Sequence, residues 1–99
     1  MIVVNGVVKS SVAEIDAMRE AIAQMEAASR AEEGCIDYTF SAEINDPGII
    51  RITEKWQTLE ALQVHFATPH MADFQAAMAE HPPASMDVSF YEVSEIQPF

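Results

Sequence analysis

The fold is decided between residues 35 and 56, which read CIDYTFSAEINDPGIIRITEKW. Residues 45–48 combine Asn, Asp, Pro and Gly, the residue types that turns prefer. Apolar and polar residues alternate on both sides of this turn, over about 35–43 and over 49–56. Alternation with a period of two is typical of strands with one buried face. We therefore expect an antiparallel hairpin at the centre of the chain.

A long amphipathic helix is predicted before this hairpin. Ser11 is its N-cap, and Glu14 follows three residues later in the position of a capping box. Apolar residues then recur at helical spacing, at Val12, Ile15, Met18, Ile22 and Met25. We expect the helix to end between residues 31 and 34, with Gly34 as its C-terminal stop.

Two shorter helices are predicted after the hairpin. Thr58 begins the first, and Phe66 belongs to its apolar face. The Thr68–Pro69 pair separates the two helices, because proline is tolerated in the first turn of a helix but not in its interior. The second helix is expected over about 70–80, with Phe74 on its buried side.

A strand is predicted at each end of the chain, over residues 2–9 and over about 86–96. The resulting order βαββαβ indicates an α+β, ferredoxin-like fold, with helices on one face of a four-stranded antiparallel sheet. The length suits a single domain over residues 1–99. The other face of the sheet should carry apolar residues that a second copy covers, several of Ile2, Val4, Val8, Val88 and Phe90.

The composition excludes several classes of protein. Sixteen Asp and Glu against five Lys and Arg give a net charge of −11, which would repel nucleic acid and anionic membranes. The single cysteine, Cys35, permits no intrachain disulfide. No signal peptide or apolar membrane span is evident, so we expect a soluble, cytoplasmic protein without a nucleic-acid or membrane partner.

Three short motifs resemble the antibiotic biosynthesis monooxygenase superfamily, in particular its small quinol-monooxygenase-like members. They are Glu-Lys-Trp at 54–56, His-x-x-Thr-Pro-His at 65–70, and Glu-Gly-Cys at 33–35. The resemblance extends over almost the whole chain. It implies a homodimeric α+β barrel with a pocket between the helices and the sheet of each subunit.

The resemblance also implies a range of activities. Some relatives oxygenate quinols or polycyclic phenols without metal or flavin, others degrade haem, and one branch acts on a phosphorylated sugar derivative. The haem-degrading branch uses an Asn that Asn5 matches, but His65 stands where its Trp lies and Phe74 lies near the position of its haem ligand. We therefore expect a monooxygenase without a cofactor, acting on a quinol or another electron-rich aromatic molecule.

Three residues are candidates for catalysis. Asn5 interrupts a valine-rich strand, and it either makes a structural hydrogen bond or donates to a substrate oxyanion. His65 lies at the edge of an apolar helix face, and it is either a packed residue or the base that deprotonates the substrate. Glu54 shares a strand face with apolar residues, so it needs an Arg or His partner or has a raised pKa.

Five residues are candidates for substrate binding: Trp56, His70, Tyr38, Phe66 and Phe74. His70 also has a structural interpretation, as a helix-start residue that orients His65. No metal site is predicted, because the spacing of His65 and His70 fits no helical zinc motif and a third ligand is missing.

Two other functions remain open at this point. The same His and Glu residues could serve an isomerase or tautomerase of a small carbonyl compound. Alternatively, the protein could be a dimer that binds a small molecule without turnover.

Overall fold

The computed structural model describes all 99 residues, and it confirms the α+β, ferredoxin-like fold. The elements are β1 (Ile2–Lys9), α1 (Val12–Arg30), β2 (Cys35–Ala42), β3 (Ile49–Trp56), α2 (Leu59–Phe66), α3 (Pro69–Glu80) and β4 (Ser85–Glu92). The four strands form one antiparallel sheet in the order β2-β3-β1-β4. None of the helices is long and apolar enough to cross a membrane.

The helices begin where the sequence predicts. The hydroxyl oxygens of Ser11, Thr58 and Thr68 accept hydrogen bonds from backbone N–H groups in the first turns of α1, α2 and α3. At the other end of the chain, β4 stops at Glu92 rather than near residue 96. Glu92 pairs with Ile2, the first residue of β1, so the neighbouring strand ends at this point.

The prediction that apolar residues such as Ile2 and Val4 lie on the face of the sheet away from the helices was wrong. Ile2 and Val4 face the helices and are buried in a core with Met25 of α1 and Leu62 of α2, and Val88 packs against the same core. Val8 and Phe90 also lie on this face, where they line a cavity under the helices. The period of two identifies the residues that share a face, but it does not show which face the helices cover.

The opposite face of the sheet carries the alternate residues. Val3, Asn5 and Val7 of β1 lie there, and Asn5 is exposed between Thr53 of β3 and Ser89 of β4. This face is therefore more polar than the face under the helices.

Candidate functional site

A cavity of about 330 Å³ separates the helix-facing side of the sheet from α1 and α3. Most of the residues that line it are apolar, among them Val4, Met18, Ile22, Phe74, Met78 and Val88. Aromatic rings form part of its wall, and Phe40 and Phe74 meet edge to face with ring centroids 5.5 Å apart. A cavity of this size and lining suits a small, largely apolar ligand.

Glu54 places a carboxyl group in this apolar wall. It lies in β3 beside Val4 and Tyr38 of the neighbouring strands, and only 8% of its surface is exposed. The indole Nε1 of Trp56 donates a hydrogen bond to Glu54 Oε1 over 2.9 Å. Burial raises the pKa of Glu54, whereas the Trp56 hydrogen bond and the charge of His65 act in the opposite direction. The partner is thus an indole rather than the Arg or His that the sequence suggested.

Tyr38 lies next to Glu54 and also lines the cavity. Burial raises the pKa of its phenol, and the nearby Glu54 carboxylate raises it further. The Tyr38 hydroxyl therefore remains protonated and can donate a hydrogen bond. Phe66 and Phe74 line the same cavity, so the structure brings three of the five predicted binding residues together with Glu54.

His65 and Trp56 lie behind this wall rather than in it. Both side chains are fully buried, their ring centroids are 4.8 Å apart, and neither residue lines the cavity. His65 faces inward from α2 together with Leu62, toward the core that contains Trp56. The sequence suggested that His65 borders a cavity, because helical periodicity distinguishes an inward position from an outward one but not a packed neighbour from an open space.

The partner of His65 is Glu32, a residue that sequence reasoning did not select. His65 Nδ1 lies 2.6 Å from Glu32 Oε2, and His70 Nε2 lies 2.8 Å from the same oxygen. His70 borders a separate groove between α1 and α3 instead of the main cavity. Glu32 lies two residues after the end of α1 and precedes the exposed Glu33, and nothing in the sequence distinguishes these two acids.

Asn5 is separated from all of these residues by the sheet. Its neighbours Val4 and Gly6 are buried on the helix side, so the Asn5 side chain points to the other side and is exposed. Because the Asn5 side chain is exposed, water can satisfy its hydrogen bonds. It therefore needs no partner within the protein, contrary to what its position in a valine-rich strand suggested.

A second polar group lies at the opposite end of the cavity. Glu14 Oε2 of α1 is 3.1 Å from His81 Nδ1, and both residues contribute to the lining. Their side chains are 43% and 34% exposed, so this end opens toward solvent. No local sequence pattern connects His81 with Glu14, which is 67 residues away.

Comparisons with known proteins agree with this architecture. The family model described as antibiotic biosynthesis monooxygenase matches residues 1–77. A crystal structure from Deinococcus radiodurans that carries this family name superimposes with a TM-score of 0.90, at 26% identity, over 100% of this chain and 98% of the other. A conserved protein of unknown function from Bacteroides thetaiotaomicron, described as a possible oxidoreductase, gives a TM-score of 0.82 at 29% identity, over 93% and 96% of the two chains.

An uncharacterised protein of Synechocystis sp. is 29% identical over 69 residues, which are 70% of this chain but only 47% of that relative. This chain thus spans about half the length of the curated relative it matches. The match to the family model covers more than half of the chain, and this is what assigns the family. The matched residues include Glu54 of the cavity and the Glu32–His65 pair. The chain belongs to the antibiotic biosynthesis monooxygenase family.

Proposed function

We propose that this protein is a monooxygenase that oxidises a quinol or another electron-rich aromatic molecule in the cavity under the helices, without a bound redox group. The observation that carries the proposal is the buried Glu54 carboxyl in a largely apolar wall. The family and its named structural neighbours support a general monooxygenase-like role. The quinol substrate and the assignment of the base are our proposals.

Glu54 accepts the phenolic proton in this mechanism. A carboxylate whose pKa is raised by burial is a stronger base than one in water, which favours transfer of a proton from a bound phenol. Tyr38 remains protonated beside it, because burial and the Glu54 carboxylate both raise its pKa. We place the base at Glu54 rather than at His65 because Glu54 lines the cavity and His65 does not.

The deprotonated quinol then reacts with dioxygen directly. It supplies one electron to dioxygen, and the two radicals combine at a ring carbon to give a peroxide. Protonated Glu54 returns its proton to this peroxide, which becomes a hydroperoxide, and the Glu54 carboxylate is restored. Loss of water from that adduct leaves a hydroxyquinone. One oxygen atom enters the ring, the other leaves as water, and the quinol itself provides all four electrons, so no further reductant is needed. Most of the lining is apolar, which disfavours water beside the intermediates.

Oxygen consumption with a panel of reduced quinols tests this proposal. Glu54→Gln retains an oxygen atom that can accept from Trp56 but removes the base, so we expect turnover to fall by about a hundredfold or more. Glu60→Gln is the matched control, since Glu60 is exposed on α2 and remote from the lining, and its turnover should equal that of the wild type. If Glu54→Gln turns over quinol as fast as the wild type does, Glu54 is not the base.

Two further measurements, combined with oxygen uptake, separate the two other candidate functions. If oxygen uptake never exceeds quinol autoxidation, but the protein exchanges an α-proton of a carbonyl compound under nitrogen, it is an isomerase. If aromatic ligands raise the melting temperature and neither reaction occurs, it is a binding protein. Either result would contradict the monooxygenase proposal.

A further inference from the structure

Three side chains from distant parts of the sequence converge outside the cavity, and we call them the Glu–His–His cluster. Glu32 lies in the turn after α1, His65 near the end of α2, and His70 in the first turn of α3. Glu32 Oε2 is 2.6 Å from His65 Nδ1 and 2.8 Å from His70 Nε2. One ligand-type atom of each side chain can be chosen so that all three lie within 4.8 Å of one another.

Two polar atoms of this cluster are buried without a hydrogen-bond partner. They are the second carboxylate oxygen of Glu32, Oε1, and the second ring nitrogen of His65, Nε2. The His65 side chain is 0% exposed. Buried polar atoms are nearly always paired in folded proteins, so Glu32 Oε1 is available to a further partner, whereas His65 Nε2 lies on the ring side away from Glu32.

We propose that the Glu–His–His cluster binds a divalent transition-metal ion of the zinc type. Two imidazole nitrogens and one carboxylate oxygen form a ligand set that Zn²⁺ uses, with its fourth position open to water, whereas Mg²⁺ and Ca²⁺ prefer oxygen ligands alone. The free Glu32 Oε1 allows the carboxylate to bind the ion through either oxygen or both. The net charge of −11 also attracts cations to the protein.

Binding an ion requires the three donor atoms to rearrange, because they lie within 4.8 Å of one another but not at uniform separations. Bonds of about 2.0–2.2 Å hold the donor atoms of a tetrahedral site roughly 3.3 Å apart. The observed separations of 2.6 and 2.8 Å are shorter because they are hydrogen bonds. When the ion binds, each neutral imidazole carries its proton on the nitrogen that faces away from Glu32. The His70 side chain is 23% exposed, so it can move outward and admit the ion, while the buried His65 stays fixed.

This site is independent of the proposed oxygenation. None of its three residues lines the cavity, so the ion would not touch the substrate. It would instead tie the turn after α1 to both short helices. The sequence predicted no metal site because the two histidines lacked a third ligand, and the structure supplies Glu32 in that position.

Titration of metal-free protein with ZnCl₂ at about pH 7.5, where imidazole is mostly neutral, tests the proposal. Calorimetry should give one ion per chain, and zinc at a hundredfold excess over Kd should raise the melting temperature by roughly 10 °C or more. Co²⁺ should give the visible absorption of a four-coordinate site. Glu32→Gln and His70→Ala should each weaken zinc binding by roughly tenfold or more, because each removes one ligand.

Glu33→Gln is the matched control, because it removes the neighbouring exposed acid and should bind zinc as the wild type does. Circular dichroism of each variant verifies that it is folded. The proposal is overturned if the wild type binds no zinc stoichiometrically. It is equally overturned if folded Glu32→Gln or His70→Ala binds zinc with unchanged affinity, since the ion would then lie elsewhere.

Discussion

At the scale of single residues, two effects act on the pKa of Glu54 in opposite directions. It is buried among apolar side chains, which disfavours its charged form, and Trp56 is its hydrogen-bond donor. A proton acceptor of this kind reduces the stability of the fold at neutral pH, and functional sites often retain such groups.

The pH dependence of stability follows from the sign of this shift. The pKa of Glu54 is higher in the folded protein than in the unfolded chain, so the folded state binds the proton more tightly. The stabilisation from this group is complete below the unfolded pKa of about 4.3, and it is lost as pH rises through the folded pKa. We expect Glu54→Gln to melt at a higher temperature than the wild type at neutral pH, and the difference should shrink toward about pH 4.

Thermal melts of both proteins across this pH range provide the measurement, and Glu60→Gln serves again as the exposed control. A difference in melting temperature that stays constant with pH would show that Glu54 does not titrate abnormally.

At the scale of elements, the turn over residues 31–34 determines where the residues of the Glu–His–His cluster meet. Gly34 adopts a φ of +84°, and its carbonyl accepts a hydrogen bond from Gln57 N over 2.8 Å. This turn leads α1 into β2 and positions Glu32 against His65. The helix itself ends at Arg30 with Ala31 as its C-cap, so Gly34 is not the helix stop that the sequence predicted. Its positive φ instead turns the chain into β2.

Gly34→Ala tests the importance of the turn. An added Cβ would lie 2.7 Å from Ala61 Cβ of α2, and alanine is also strained at this positive φ. We expect a loss of about 2–4 kcal/mol in the free energy of unfolding, measured by urea denaturation.

Gly48→Ala is the control for this substitution, because its φ is not positive and its nearest contact would be 3.2 Å. It should cost less than about 1 kcal/mol. Equal losses in the two variants would show that the turn after α1 carries no special constraint.

At the scale of the whole molecule, the face of the sheet turned away from the helices has no covering layer within one chain. Val3 and Val7 lie on it, and Tyr91 is 49% exposed beside Val3. Sheets with one open face that carries apolar residues are commonly covered by a second copy. The prediction of a homodimer therefore rests on these residues and on the family resemblance, since Ile2 and Val4 belong to the internal core.

Light scattering coupled to gel filtration tests the dimer. At micromolar concentration we expect about twice the chain mass of 10.9 kDa. Val7→Lys, which places a charge on the open face, should shift the protein toward the monomer without loss of secondary structure. A wild-type monomer at this concentration would exclude the barrel-like dimer.

The elements and their order could be predicted from local patterns in the sequence. Turn chemistry at 45–48, the caps at Ser11, Thr58 and Thr68, and the alternation along β3 are local signals, because each depends on residues a few positions apart. Local signals also indicated that Glu54 shares a face with apolar residues, and its burial agrees with this.

The face of the sheet that the helices cover, and the side chains that meet, depend on how the layers pack together. Periodicity groups Ile2 with Val4, and Asn5 with Val3, but packing alone places the first pair in the core and leaves Asn5 exposed. Glu32 contacts His65 across 33 positions of sequence. Contacts of this range depend on how the layers assemble, so a pattern within one segment cannot encode them.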